Sequence, residues 1–293
     1  MGSSVEVRKV GEEAKLKKGW FLAYKWLILR RFSQVFIIGI FLLGPLAGIW
    51  FITGNLNASL ILNTVPLTDP FLTLQVWMSG RDLESQAVIG LVIVLGFYLF
   101  VGGRVFCSWV CPINIVTDMA SWLRRVLGLP KGIDLSRTTR YWMLAVVFVL
   151  PAIGGQLYWE MINPVSIVQR GLIFGIGISW VAVVMVFLFD LLVSSDGWCG
   201  RICPMGALYS LLTPVARLRV TASWRDKCND CLDCYKVCPE PHVIKPALKG
   251  ESLGLGPKIL DINCTNCGRC IDVCAPNVFE FAINFSDNSR ISL

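Results

Sequence analysis

Apolar residues fall along this chain in long runs, not at alternating positions. Four stretches, at about 34–53, 87–105, 141–157 and 172–193, hold only Arg104 and Asp190 as charged residues. A helix crossing the hydrocarbon core of a bilayer takes roughly 20 apolar residues, so each run predicts a spanning helix. Bases crowd particular flanks. Arg8, Lys9, Lys15, Lys17, Lys18, Lys25, Arg30 and Arg31 precede the first run. Arg124, Arg125, Lys131, Arg137 and Arg140 separate the second from the third, and Arg201, Arg217 and Arg219 follow the fourth. The other two loops carry Arg81 and Arg170 alone. Lys and Arg concentrate on the cytoplasmic side of membrane proteins. The expectation is a multi-pass protein of the bacterial inner membrane with both termini in the cytoplasm and the loops 54–86 and 158–171 outside. Trp20, Tyr24 and Trp26 are expected as interfacial anchors, and the Arg30-Arg31 pair as an inside anchor.

The runs repeat as a unit. Each copy is a span, an outer loop, a second span and a Cys-x3-Cys-Pro motif: Cys107, Cys111 and Pro112 in the first, Cys199, Cys203 and Pro204 in the second. Short helical stretches follow, at 113–127 and 205–212. Parallel repeats about an axis along the membrane normal would gather all four cysteines at the cytoplasmic face. Sites often form where such repeats meet.

Composition excludes an ordinary soluble domain. Hydrophobic residues make up 55% and charged residues 16%, with a mean hydropathy of +0.62. The net charge of +7 lies in patches beside apolar runs, which is membrane orientation and not a nucleic-acid footprint.

Twelve cysteines change the picture further. Cys228, Cys231, Cys234 and Cys238-Pro239 form a Cys-x2-Cys-x2-Cys-x3-Cys-Pro run, and Cys264, Cys267, Cys270 and Cys274 repeat the spacing, followed by Ala275-Pro276. Three cysteines at two-residue gaps wrap three corners of one iron–sulfur cube, and in two-cluster ferredoxins the fourth ligates the other cluster. The expected sets are Cys228, Cys231, Cys234 and Cys274 for one [4Fe-4S] cluster, and Cys264, Cys267, Cys270 and Cys238 for the second. A zinc site would complete one tetrahedron from paired cysteines, which this spacing does not resemble. Residues 240–263, rich in Gly and Pro, read as an exposed insertion. The fold class is thus an α-helical polytopic membrane protein, four transmembrane helices in a two-fold internal repeat, with a C-terminal α+β bacterial-type two-cluster ferredoxin domain. Its segments are a basic cytoplasmic or interfacial 1–33, a membrane domain 34–212, a linker 213–227 and the ferredoxin-type domain 228–293.

The single histidine, His242, lies inside the ferredoxin-type domain, and no Cys-x-x-Cys-His site exists. With so few axial ligands the expectation is no haem. His242 reads as a surface or cluster-proximal residue. For Cys107, Cys111, Cys199 and Cys203 three readings stay open: a third metal centre, most naturally another cluster; redox-active dithiols; or buried structural thiols.

Val65-Pro-Leu-Thr-Asp-Pro70, the two Cys-x3-Cys-Pro motifs, Trp159-Glu160-Met-Ile-Asn-Pro164 and Cys238-Pro-Glu-Pro-His-Val243 carry a resemblance along the whole chain. It resembles the NapH family of membrane quinol dehydrogenase subunits, within wider polyferredoxin-like proteins that share four spans and a two-cluster end. The resemblance implies oxidation of ubiquinol or menaquinol. It also implies electrons passed through a periplasmic iron–sulfur partner (NapG-like), with a membrane-anchored multihaem cytochrome (NapC-like) as a further partner, toward periplasmic nitrate reductase.

Quinol oxidation releases protons, so outer-side carboxylates are the natural acceptors. Asp69 and Glu160, in the outer loops of the two halves, are the candidates, against an ordinary interfacial role. Asp190 would serve an inner-side site or pair with a base. The rival class is a redox assembly or maturation factor for a metalloenzyme, using cytoplasmic electrons; a scaffold with structural clusters is the third. Clusters inside and an acceptor outside leave the electron route open.

Overall fold

The structure is a computed structural model that describes residues 10–130, 132–175, 177 and 179–283. Arg8, Lys9, Lys131 and the end of the 228–293 segment lie outside the described residues. In chain order the helices are α1 (Glu12–Lys18), α2 (Trp20–Ala23) and α3 (Lys25–Ala47), then a meander β1 (Ile52–Gly54), β2 (Ala58–Ile61) and β3 (Val65–Thr68). Next come α4 (Pro70–Met78), α5 (Ser85–Val101), α6 (Ile113–Val126), α7 (Thr139–Gly154), α8 (Tyr158–Ile162), α9 (Pro164–Phe174), α10 (Ser179–Leu188) and α11 (Pro204–Leu212). The chain ends with β4 (Leu218–Thr221), α12 (Asp233–Val237), α13 (Ile244–Lys249), α14 (Arg269–Val273) and β5 (Glu280–Ile283). Two compact units result, 31–216 and 1–30 with 217–293.

In the unit 31–216 the apolar runs become helices with shifted ends. The helix expected over 34–53 runs Lys25–Ala47, stops where Gly48 turns left-handed, and gives way to β1. Among the described residues it is the one helix long and apolar enough to cross a membrane by length and composition, while Ser85–Val101, Thr139–Gly154, Pro164–Phe174 and Ser179–Val193 are shorter apolar helices. The fourth run is broken. α9 ends at Gly175, whose φ of +66° lies where a side chain would be strained, and α10 starts anew at Ser179.

The segments 54–86 and 158–171, expected as loops, contain regular structure. β1, β2 and β3 pair antiparallel in sequence order. α4 and α9 each open on an Asx-Pro pair: Asp69 accepts from Phe71 N–H at 3.1 Å, and Asn163 from Val165 N–H at 3.1 Å. A side-chain cap followed by proline at the first helical position is a strong helix start. Asn163 is therefore the counterpart of Asp69 in the other half; Glu160 is not.

The unit buries polar side chains beside an apolar core of Phe71, Ile113, Leu144, Trp159 and Met205, and it exposes many apolar ones. Gln34, Gln75, Asp69, Arg104, Arg140, Asn163 and Asp190 are buried, while Val92, Phe97, Trp142, Ile153, Trp180 and Met185 are exposed on α5, α7 and α10.

The second unit is more extensive than a domain starting at 228. The segment 213–227, expected as a linker, contains β4, which pairs antiparallel with β5 from Leu218–Ile283 to Thr221–Glu280. The segment 240–263 is not an exposed insertion. Val243, Ile244, Ala247 and Leu248 bury one face of a helical stretch, and Ile259 N–H donates to Val220 O at 3.0 Å. Apolar spacing of three and four residues outweighs the Gly and Pro around it. The N-terminal helices belong here too. Lys18 Nζ donates to Ile271 O at 3.0 Å, and Gly11 N–H to Asp233 at 3.1 Å. Trp26 is not an interfacial anchor: its ring meets Phe281 edge-on at 4.6 Å. It also covers Gly268, where a Cβ would stand 2.6 Å from the indole and φ is +74°.

Candidate iron–sulfur and redox sites

Three cavities of nearly equal size are each lined by four cysteines. In the unit built on β4 and β5, Cys228, Cys231, Cys234 and Cys274 line one of about 340 Å³. Cys238, Cys264, Cys267 and Cys270 line another of about 370 Å³. The fourth cysteine of each run thus faces the cavity of the other run. α12 and α14 start just before the third cysteine of each run and carry Cys234 and Cys270 inward. Val278 N–H donates to Cys274 Sγ at 3.3 Å. His242 is partly exposed and sits between Glu240, 3.5 Å from Nδ1, and Asp261, 3.4 Å from Nε2, beside the second cavity and not on it.

The third cavity, about 370 Å³, lies in the unit 31–216 and is lined by Cys107, Cys111, Cys199 and Cys203, with Asn163, Met205 and others. The two motifs are built alike. Phe106–Val110 and Trp198–Ile202 are π-helical turns, closed by Cys111 N–H to Phe106 O at 3.0 Å and Cys203 N–H to Trp198 O at 2.9 Å. Such turns cost backbone regularity and cluster at functional sites. The second cysteine of each motif is extended, and a proline leads into α6 or α11. The N–H groups of Ile113 and Asn114 then reach Cys111 Sγ, and those of Met205 and Gly206 reach Cys203 Sγ. Free amides and the dipole at a helix start favour a thiolate or an anionic cluster.

Polar residues brace this cavity from several helices. Gln34 donates to Ser108 O and Cys111 O, both at 3.1 Å. Asp190 accepts from Trp198 N–H at 2.8 Å, so it holds the second motif, while Arg124 donates to the carbonyls of Asp190 and Leu191. Arg104 donates to Cys199 O at 3.4 Å and Arg140 to Gly200 O at 3.5 Å. Both guanidinium charges also act on Cys107. Burial pushes all four thiols up, Cys203 to about 11. Among the described residues no group of three His, Cys, Asp or Glu is placed to hold a metal ion.

Asp69 and Glu160 are brought into one network that sequence reasoning did not include. Asn57 Nδ2 donates to Glu160 Oε1 at 2.5 Å and to Ser166 Oγ at 3.0 Å, and Asn57 O accepts from Asp69 N–H at 2.7 Å. Ser166 Oγ donates to Glu160 Oε2 at 3.0 Å, and Asn163 Nδ2 to Ser166 at 3.2 Å. Asp69 accepts from Tyr209 Oη at 2.7 Å, and the Tyr209 ring stacks on Phe106 at 4.9 Å. Through Asn163 and Phe106, which line it, the third cysteine cavity adjoins this network. The matched spacing Asp69-Pro70-x4-Gln75 and Asn163-Pro164-x4-Gln169 was the available signal for these polar positions.

Comparison with known proteins agrees with this division. The 4Fe-4S binding domain family matches residues 87–130 and again 173–221, once in each half of the repeat, and the 4Fe-4S dicluster domain family matches 221–275. The ferredoxin-type protein NapH of Escherichia coli strain K12 is 45% identical over 283 residues, 97% of this chain and 98% of that one. NapH of Haemophilus influenzae is 42% identical over 96% and 97% of the two chains. The methylamine utilization ferredoxin-type protein MauN of Methylorubrum extorquens is 47% identical over 92% and 93%. No solved structure matches. With two such relatives covered nearly end to end, and iron–sulfur domains along its length, the chain belongs to the NapH and MauN family of ferredoxin-type iron–sulfur electron-transfer proteins.

Proposed function

We propose that this protein is the membrane subunit of a quinol dehydrogenase. The observation that carries this reading is the junction of the third cysteine cavity with the Glu160–Asn57–Asp69 network in one unit. Quinol oxidation yields two electrons and two protons, and that junction offers a place for each.

The many exposed apolar side chains, with charged and amide groups buried beneath them, support a membrane setting, since soluble proteins rarely expose large apolar patches. Four spans built on α3, α5, α7 and the α9–α10 pair, with the ferredoxin-type unit in the cytoplasm, fit the distribution of bases along the chain. Cys228, Cys231, Cys234 and Cys274 hold one [4Fe-4S] cluster, and Cys264, Cys267, Cys270 and Cys238 hold another. Cys107, Cys111, Cys199 and Cys203 hold a third. Bound clusters supply one-electron redox chemistry. Asn57 and Ser166 orient the Glu160 carboxylate to accept protons, and Asp69, tied to Asn57 through its main-chain N–H, stands nearby as a second buried carboxylate held by Tyr209. With that centre inside the unit 31–216, an outer acceptor such as a NapG-like protein, with a NapC-like cytochrome beyond, no longer depends on the ferredoxin-type clusters alone.

A second reading draws on MauN. Its identity of 47%, beside 45% for NapH, links this chain equally to a protein named for methylamine utilization. Identity alone therefore does not tie the chain to nitrate reduction, and the second reading is a redox assembly or maturation factor for a metalloenzyme, using cytoplasmic electrons.

The test is stopped-flow mixing of the full-length, cluster-loaded protein in detergent with a short-chain ubiquinol or menaquinol. Bleaching of the cluster absorbance within the mixing experiment is expected, slowed at least tenfold in Glu160→Gln as for loss of a general base. Clusters that stay oxidised with both quinols, yet are reduced by a cytoplasmic ferredoxin-type donor, would favour the assembly reading.

A further inference from the structure

The unit 31–216 holds a second cavity, of about 280 Å³, with no cysteine on its wall. Phe41 and Leu42 of α3 and Leu172 of α9 form its apolar sides, Leu56 and Pro112 close it, and Gln169 is its one polar lining residue. Gln169 is 8% exposed. Its Oε1 accepts from Leu56 N–H at 3.0 Å, which sets the amide so that Nε2 is the remaining donor. That Nε2 is buried and has no hydrogen-bond partner among the described residues. A buried donor left unpaired costs about 1–3 kcal/mol, so its place on the wall of a cavity calls for an acceptor there.

The repeat shows that the donor is left free by position, not by residue type. Gln75 stands five residues after Pro70, as Gln169 stands five after Pro164. In the first half the amide is used internally, with Gln75 Nε2 donating to Val147 O at 3.1 Å. In the second half the equivalent donor stays on the cavity wall.

The neighbours define what the acceptor belongs to. Pro112 directly follows Cys111 of the third cysteine cavity, and Leu56 directly precedes Asn57, the donor to Glu160. One residue on either side thus separates this cavity from the redox centre and from the proton acceptor. α3, which forms one side, exposes Val35, Phe36 and Leu46, an apolar face of the kind an isoprenoid tail needs.

We propose that this cavity is the quinol head-ring site, with Gln169 Nε2 donating to a ring oxygen. The inference rests on the quinol reading above. Pro112 and Leu172 hold the ring edge, the Cys111 side faces the electron acceptor, and the Asn57–Glu160 side faces the proton acceptor.

The experiment is equilibrium binding of radiolabelled short-chain ubiquinone and menaquinone analogues to full-length, cluster-loaded protein in detergent. Gln169→Leu removes the donor at similar volume and should weaken the preferred quinone roughly tenfold, as for one buried hydrogen bond. Leu172→Trp and Leu42→Trp fill the cavity from two different helices and should abolish binding. Each variant counts only with the iron content and visible spectrum of the parent. Parent-like affinity in Gln169→Leu and in either tryptophan variant overturns the site. If the parent's clusters are reduced by quinol while those variants bind as the parent does, the site alone falls. If the parent binds neither quinone and stays oxidised with both quinols, the site and the quinol reading fall together.

Discussion

Tyr209 donates its phenolic hydrogen to Asp69 at 2.7 Å. The bond ties the helix that begins after Cys203 to the cap of a helix in the other half of the repeat. The approach is close: a Cβ at Gly103 would lie 2.0 Å from Tyr209 O, so glycine is required where the chain passes this helix.

Burial pushes the Asp69 carboxyl up from its ordinary 3.8 to about 6; the bonds from Tyr209 and Phe71 oppose this, and the Glu160 charge adds to it. A folded value above the unfolded one means that the protonated form favours the fold. The contribution is complete below about 3.8 and is lost as pH rises through about 6. A shift of roughly two units corresponds to an order of 3 kcal/mol. Infrared titration should find a carboxyl band that disappears with a midpoint near 6 and is absent in Asp69→Asn. Tyr209→Phe should move the midpoint upward, because it removes a bond that favours the anion; a downward shift would contradict the assignment.

Converting Cys107, Cys111, Cys199 and Cys203 together to Ser should lower iron from about twelve to about eight atoms per chain, at four per cluster. The corresponding change of Cys228, Cys231, Cys234 and Cys274 should have an equal effect. An iron content unaltered by the first set would rule out the third centre.

Arg104 and Arg140 place two buried positive charges beside Cys107. A cation stabilises the reduced, more negative form of a thiolate-ligated centre. Arg104→Gln should lower the potential of that centre by roughly 60 mV or more, a tenfold change for one electron. The two ferredoxin-type centres should keep theirs. Redox titration followed by electron paramagnetic resonance reads both at once.

Asp272 accepts from Trp26 N–H at 3.0 Å and Leu27 N–H at 2.9 Å, capping the first turn of α3 from the turn between Cys270 and Cys274. Asp272→Ala should cost about 1 kcal/mol, typical of a lost cap. It should also speed limited proteolysis between residues 10 and 30. Cleavage at the parental rate would show that the cap is not needed to hold this segment.

Local patterns were legible because their meaning is local. Three cysteines two residues apart reach one cavity through a single loop, so the ferredoxin-type runs announced themselves. Apolar runs marked α5 and α7 within a few residues and α3 with a start about nine residues late, and the duplicated Cys-x3-Cys-Pro marked the repeat. The misreadings came where a local cue met a long-range partner. Residues 213–227 looked like a linker because the partner of β4 lies some sixty residues further on in β5. Gly and Pro in 240–263 hid the buried face of Ile244, Ala247 and Leu248. The fourth run looked continuous because isoleucines surround the glycine that ends α9.

By itself, then, the sequence determined the cofactor class, the ligand spacing and the two-fold repeat, since each depends on residues only a few positions apart or on composition. Only the tertiary structure decided that four cysteines from both repeats share one cavity, that Asp69 meets Tyr209, and that Gln169 keeps a buried donor unpaired where Gln75 does not. Those relations join residues some seventy to one hundred and forty positions apart. They arise when polar groups buried in an apolar-surfaced unit must find their partners within the protein itself.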